Sequence, residues 1–174
     1  MDAYTIQPAA VADEQSLWKL FSEHLTHHSE YISHGEIQMG VGQEHYDGNQ
    51  RVTMLSANAR HFWMKYIHAN ILDPERSAVY KAVDMQNQIV GFCVVEIQED
   101  GAAPYGMICD ILVNEAARGT GIGKALLKTA LQWLHQHQVQ DVYLESGLQN
   151  LDAHAYFERQ GFVKVSEIYK LKSN

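Results

Sequence analysis

The chain has 174 residues, 46% of them hydrophobic and 20% charged, a composition that suits one globular domain able to bury roughly two thirds of the surface its unfolded chain exposes. Thirteen lysines and arginines against twenty-one aspartates and glutamates give a formal net charge of -8, which speaks against extended binding to nucleic acid or an anionic membrane, because both need a basic face. No segment approaches the roughly eighteen consecutive apolar residues of a membrane span. No basic stretch followed by an apolar one opens the sequence, so a cytoplasmic protein is expected.

Tyr4-Thr5-Ile6-Gln7 alternates like a short strand, and beyond Ala12 the residues Leu17, Leu20, Phe21 and Leu25 fall at helical spacing. His24 and His28 share one helical face at i, i+4, but neither an HExxH arrangement nor a third ligand accompanies them, so no metal is expected. Periodicity fades from 29 to 56, where four glycines lie among His34, Glu36, Glu44, His45, Tyr46 and Asp47. A loop this long is usually functional or disordered; its acidic, aromatic and histidine content would suit a flap that closes over the acceptor and attracts a cation, the alternative being a solvated surface loop. Ser56 is placed to cap a second helix carrying Phe62, Trp63, Tyr66 and Ile67, which should stop near Asp73-Pro74.

Three strand-like runs follow, Ala78 to Val83, Ile89 to Ile97 and about Gly106 to Val113, with connections short enough for an antiparallel meander. Cys93 and Cys109 lie inside these apolar runs and read as buried thiols, without the spacing of a disulfide framework or a zinc ribbon. The period then changes: Leu126, Leu127, Ala130, Leu131 and Leu134 form one apolar helical stripe. A strand from Val142 to Glu145, a helix from about Leu151 to Gln160 closed by Gly161, and a final strand from Phe162 to Leu171 complete the chain. The expectation is a single mixed α/β domain of α+β type spanning 1–174.

Between the third run and the striped helix stands Asn114-Glu115-Ala116-Ala117-Arg118-Gly119-Thr120-Gly121-Ile122-Gly123-Lys124. Strand, glycine-rich turn and helix in that order build an anion site. Glycines permit a tight turn and close backbone approach, while the free N–H groups and positive dipole end of the helix favour phosphate. Arg118 and Lys124 add charge. A Walker A loop ending at Gly123-Lys124 would need glycine at Arg118 and serine or threonine at Ala125, so it fails twice. A dinucleotide fingerprint anchored on Gly119 and Gly121 would need glycine or alanine at Lys124, although Glu145 falls near the distance of a ribose-binding acid.

Arg118, Gly121 and Gly123 match the central motif of the GNAT superfamily of N-acetyltransferases, which this sequence resembles: Arg or Gln, two residues, Gly, one residue, then Gly or Ala. The resemblance extends back to Asp110-Ile111-Leu112-Val113 and forward to the segment from Asn150 to Phe162, with a weaker echo at Pro8-Ala9. It covers most of the chain except 29–56, which would form a variable acceptor-side loop. It implies a central, mostly antiparallel sheet with one splayed strand pair, flanked by helices, and acetyl-CoA as cosubstrate. It further implies transfer of acetyl directly to a primary amine of a small molecule or peptide, and a homodimer as the family's usual assembly. Carried over onto this sequence, Ile111, Leu112 and Val113 would bind the pantetheine arm. Arg118, Gly119, Thr120, Gly121, Ile122, Gly123 and Lys124 would hold the pyrophosphate, and Asn150, Phe157 and Arg159 would border the cofactor.

One departure matters. The family commonly carries at the Phe157 position a tyrosine that protonates the departing thiolate, and phenylalanine has no proton to give. Tyr156 stands one residue earlier, turned about 100° around a helix, and is the remaining candidate acid. A noncatalytic acyl-CoA-binding module of the same fold is the alternative that Phe157 leaves open. For the base, Asp110 leads because it lies on the strand that should border the thioester, with Glu96 and Glu145 behind it.

Overall fold

The computed structural model describes residues 3–171. Strand β1 (Tyr4–Pro8) leads to α1 (Glu14–His27), a short helix α2 (His34–Met39), a hairpin β2 (Gly42–Asp47) and β3 (Gln50–Leu55), and α3 (Ala59–Leu72). The meander β4 (Ser77–Asp84), β5 (Ile89–Gln98) and β6 (Tyr105–Val113) precedes α4 (Ile122–Gln136), β7 (Val142–Leu144) and α5 (Leu151–Arg159). The main sheet has the order β1-β4-β5-β6-β7. Its first four strands pair antiparallel, and β6 pairs with β7 in parallel. The expected mixed α/β, mostly antiparallel architecture with flanking helices is therefore present.

Strand β5 explains why the sheet is covered on both sides. Phe92 and Val94 face α1 and α3, where they join Leu17, Phe21, Trp63 and Ile67, while Cys93 and Val95 face α4 and join Leu126, Leu127, Ala130 and Leu134. A strand buried on both faces reads as a continuous apolar run. The first layer centres on Trp63, which is 1% exposed, stacked on Phe21 at 4.9 Å and tilted against Trp18 at 5.7 Å. Trp63→Ala is expected to cost about 3–5 kcal/mol, seen in thermal melts as a fall on the order of 10 °C for a domain of this size.

Three expectations are corrected. The stretch 29–56 is not a long loop, because it folds into a single helical turn (Ser29–Tyr31), α2 and the β2–β3 hairpin. Ser33 caps α2 by accepting from the Glu36 N–H while the Glu36 carboxylate accepts from the Ser33 N–H, a reciprocal capping box. Gly40, with φ of 85°, ends that helix, and Gly48, with φ of 59°, turns the hairpin. Ser56 does not cap α3; its hydroxyl donates to the Gly40 carbonyl, and the helix begins after Asn58. The closing strand from Phe162 to Leu171 is absent: beyond the half-buried Phe162 the segment is exposed, with no sheet partner among the described residues.

Strand β6 carries a bulge. Val94 pairs with Asp110 but Val95 pairs with Ile108, so Cys109 is the extra residue. Side chains alternate along a strand, and one inserted residue exchanges the faces beyond it. Ile108 accordingly packs with α4, whereas Leu112, four residues on, packs with α1 and α3. The same bulge turns Asp110 towards α3. It also coincides with the end of the β6–β7 ladder, which runs only from Gly106 to Ile108 on β6. From Cys109 to Val113 that edge of β6 has no strand beside it among the described residues, and this is the splay.

Candidate active site

Two groups of residues meet along the splayed part of β6, a glycine turn at its far end and an acidic group at the bulge. In the turn, Gly119 has φ of 76° and Gly121 has φ of 90°, left-handed values that a side chain would strain. Gly121 is the N-cap of α4 and supplies no side-chain bond to the helix, so the Ile122, Gly123 and Lys124 N–H groups at its first turn lack the usual cap. Thr120 braces the turn by donating to the Ala117 carbonyl. The Arg118 Nε donates to the Val113 carbonyl at 3.2 Å, fixing the guanidinium at the strand's end.

Helix α5 brings further predicted residues to this end. The Tyr156 hydroxyl is buried without a hydrogen-bond partner, and it lies 3.5 Å from where a β-carbon on Gly123 would sit. Phe157, 9% exposed, is packed edge-on between Tyr156 and Phe162. Asn150 uses its side-chain oxygen to accept from the Ala153 N–H, capping α5, while Arg159 in the last turn is exposed. Ile111 and Val113 are half-buried on the free stretch of β6, and Leu112 is buried.

At the bulge, the Tyr66 hydroxyl of α3 donates to Asp110 Oδ2 at 2.8 Å. Burial pushes the Asp110 carboxyl up to about 8, reinforced by the charges of Glu36 and Glu96 and opposed by the Tyr66 hydrogen bond. Burial likewise raises Glu36, against its bonds to Ser33 and with added repulsion from Glu145. Glu145 in turn accepts from the Gly35 N–H at 2.8 Å, tying the end of β7 to α2. Cys109 is driven upward by burial and the neighbouring carboxylates, so its thiol stays protonated. Asp110 on β6, Glu36 on α2, Glu96 on β5 and Glu145 just beyond β7 thus form one electrostatically linked group.

A narrow cleft of about 160 Å³ lies between α1 and the end of β6, lined by Leu20, His24, His28, Leu112, Asn114 and Glu115 among others. His28 Nε2 lies 3.0 Å from a Glu115 carboxylate oxygen, and His28 stacks on Tyr31 at 4.8 Å. Burial, then the Arg118 charge, lowers His24 to about 4, leaving it neutral beside the guanidinium. No group of three His, Cys, Asp or Glu side chains among the described residues is placed to hold a metal. A broader, open hollow of about 800 Å³ over α3, lined by Glu14, His61 and His68, includes none of the predicted site residues.

Sequence reasoning placed the turn and Asp110 but missed Tyr66 as the partner of Asp110 and Glu36 as its electrostatic neighbour. The Ser33–Glu36 capping-box spacing was a readable signal for α2. Nothing in the sequence announced the Tyr66–Asp110 pair, which depends on α3 lying over a bulged strand.

Comparisons with known proteins agree with this geometry. The Acetyltransferase (GNAT) family model matches residues 43–162. A mycothiol acetyltransferase of Salinispora tropica is 37% identical over 87 residues, 49% of this chain and 28% of that protein. An aminoglycoside N(6')-acetyltransferase type 1 of Stenotrophomonas maltophilia is 25% identical over 96 residues, 52% of this chain and 63% of its own length. The chain therefore spans less than two thirds of either curated relative. Among solved structures, a variant of the BH1408 protein of Bacillus halodurans superposes with a TM-score of 0.75 at 21% identity, covering 98% of this chain and 99% of that one. An aminoglycoside 6'-N-acetyltransferase of Acinetobacter baumannii gives 0.68 at 14% identity, with 98% of both chains covered. With the family model running from the β2–β3 hairpin to Phe162 and including Asp110 and the glycine turn, and with the fold shared over nearly the whole length, the chain belongs to the Acetyltransferase (GNAT) family.

Proposed function

We propose that the protein is an acetyl-CoA-dependent N-acetyltransferase acting on a primary amine of a small, cationic molecule. The observation that carries this reading is the start of α4: two left-handed glycines and an uncapped first turn at the mouth of the splay, with the orphan Tyr156 hydroxyl beside them. That combination fits a pyrophosphate, which accepts hydrogen bonds from every donor present. The backbone N–H groups from Gly119 to Lys124 would hold it, with Arg118 and Lys124 supplying charge and Arg159 within the same end of the molecule. The backbone of Ile111, Leu112 and Val113, beyond the end of the β6–β7 ladder, would carry the pantetheine amides. Asn150, committed to its helix cap, would contribute from the α5 side, and Phe157 would pack against the arm.

Bound acetyl-CoA supplies an activated acyl group: the amine nitrogen bonds to the thioester carbon, the carbon–sulfur bond breaks, and coenzyme A leaves as the thiolate. The protein's share is to align the reactants and to remove a proton from the amine. An ordinary carboxylate near 3.9 facing an amine near 10.4 leaves a proton transfer about 9 kcal/mol uphill. Asp110 at about 8 reduces that to about 3 kcal/mol, at 1.36 kcal/mol per pK unit. Burial that would be a liability elsewhere therefore makes Asp110 a competent base, with Tyr66 positioning it. Glu36, Glu96 and Glu145 would favour a cationic acceptor on approach.

On the acid side, Tyr156→Phe is expected to reduce turnover less than tenfold, because the hydroxyl lies against the first turn of α4; steady-state kinetics showing a hundredfold loss would assign it thiolate protonation instead. The test of the whole reading is thiol release from acetyl-CoA across polyamines, aminoglycosides, amino acids and short peptides. Release that depends on one amine class supports it. Tight acetyl-CoA binding with no release for any amine would favour the noncatalytic acyl-CoA-binding reading that Phe157 raises.

A further inference from the structure

The Arg118 guanidinium is gripped on more than one side. Its Nε donates to the Val113 carbonyl at 3.2 Å, and its Nη2 donates to His24 Nδ1, in the last turn of α1, at 3.4 Å. Arginine can only donate, so this contact makes Nδ1 the acceptor and places the His24 proton on Nε2. Two bonds to different nitrogens of one rigid plane fix its orientation as well as its position. The guanidinium still has N–H groups to spare, and its side chain is 42% exposed, so they remain open to a ligand at the start of the glycine turn.

What grips it from α1 carries no charge. Burial and the Arg118 charge keep His24 neutral above about pH 4. A carboxylate in that place would bond more strongly but would cancel the positive charge that a pyrophosphate needs. Glu115 is near enough to supply such a carboxylate, yet it stands off. Its Oε1 lies 3.8 Å from Arg118 Nη1, beyond hydrogen-bond distance, and 3.0 Å from His28 Nε2. His28 is held in turn by its stack on Tyr31, with ring planes 7° apart, and Glu30 lies 3.4 Å from its other nitrogen. The i, i+4 spacing sets both imidazoles on one face of α1, with ring centres 5.2 Å apart, where they line the cleft at the end of β6. No metal explains this histidine pair, whereas its contacts with Arg118 and Glu115 do.

We propose, on the reading of the glycine turn as a pyrophosphate site, that His24 and His28 are positioning residues for coenzyme A: His24 orients the Arg118 guanidinium through Nδ1, and His28 draws the Glu115 carboxylate off it, so that its charge stays available to the phosphates. Neither imidazole need touch the ligand. The pair also fastens α1 to the pyrophosphate turn, which links the two layers of the fold at the point where the cofactor would enter.

Calorimetry of coenzyme A with the full chain at low ionic strength tests this, because salt screens exposed charges. His24→Asn keeps an acceptor near the Nδ1 position and should stay within about threefold of the wild-type Kd, whereas His24→Asp, of the same shape but charged, should bind about tenfold more weakly or worse. His28→Ala frees Glu115 to pair with Arg118 and should weaken binding about fivefold, the scale of an exposed ion pair. Adding Glu115→Gln to it should restore the wild-type Kd to within about twofold, since the competing charge is gone. In an Arg118→Ala background, His28→Ala should change the Kd by less than about twofold, because no guanidinium remains to be neutralised. If loss of the Tyr31 stack unfolds His28→Ala, the two His24 variants decide the outcome. Equal affinities for His24→Asn and His24→Asp overturn the role of His24. A loss in His28→Ala that Glu115→Gln leaves uncorrected, or that persists without Arg118, overturns the role of His28. Wild-type protein that fails to bind coenzyme A at about 1 mM overturns the pyrophosphate site and this inference together, whereas normal wild-type binding with unresponsive variants overturns the inference alone.

Discussion

Gly121→Glu is expected to abolish coenzyme A binding, with no saturable signal by calorimetry at a ligand concentration one hundred times the wild-type Kd. Three effects act together at this position. Its φ of 90° is left-handed, so any side chain strains the turn by about 1 kcal/mol or more. A β-carbon there would lie 3.5 Å from the Tyr4 hydroxyl, an ordinary contact, so space alone does not exclude the variant. The added carboxylate would then accept the N–H groups of α4 that a pyrophosphate needs, and repel the phosphates themselves. Gly121→Ala separates strain from charge: it should lower the melting temperature by a few degrees and weaken coenzyme A no more than about tenfold. If the glutamate variant folds and binds coenzyme A normally, the turn from Arg118 to Lys124 is not the pyrophosphate site.

The position of that turn was legible because its signals are local. Strand, glycines and a striped helix occupy consecutive residues, and the apolar stripe from Leu126 to Leu134 became the buried face of α4. The meander was equally readable, since its three strands are joined by short connections. The stretch 29–56 was misread for a physical reason: α2 has only six residues and no buried side chain, too short for periodicity to register. Its cap and the Gly48-Asn49 turn, closed by the Asp47–Gln50 pair, were the usable signals. The bulge at Cys109 lay beyond sequence reasoning altogether, because a bulge exists only relative to the partner strand. Asp110 was chosen for its place on β6, but its burial, its Tyr66 partner and its raised proton affinity all follow from the face that the bulge gives it. The closing strand expected from Phe162 to Leu171 does not form, because alternation along a sequence specifies a face but supplies no neighbouring strand to pair with.

Asp110→Asn should reduce kcat/KM by a factor on the order of 10²–10³, the usual weight of a positioned base, and its pH dependence makes the assignment specific. In the wild type the folded carboxyl titrates near 8, so kcat/KM should rise with pH through an inflection there, below the inflection of the amine itself. The asparagine variant should lose the lower inflection and keep the upper. Tyr66→Phe removes the hydrogen bond that favours the carboxylate, so its lower inflection should move to higher pH. Stability must change in the opposite sense. The folded carboxyl holds its proton up to about pH 8, whereas in the unfolded chain it ionises near 3.9, so the native state binds more protons between those values and loses stability as pH rises across them. Asparagine never pays that cost. Relative to wild type, the variant's melting temperature should therefore climb from pH 4 to pH 8 and then level off, even as its activity collapses. An asparagine variant within threefold of wild-type kcat/KM at pH 8 would remove Asp110 from the chemistry and pass the role to Glu96 or Glu145.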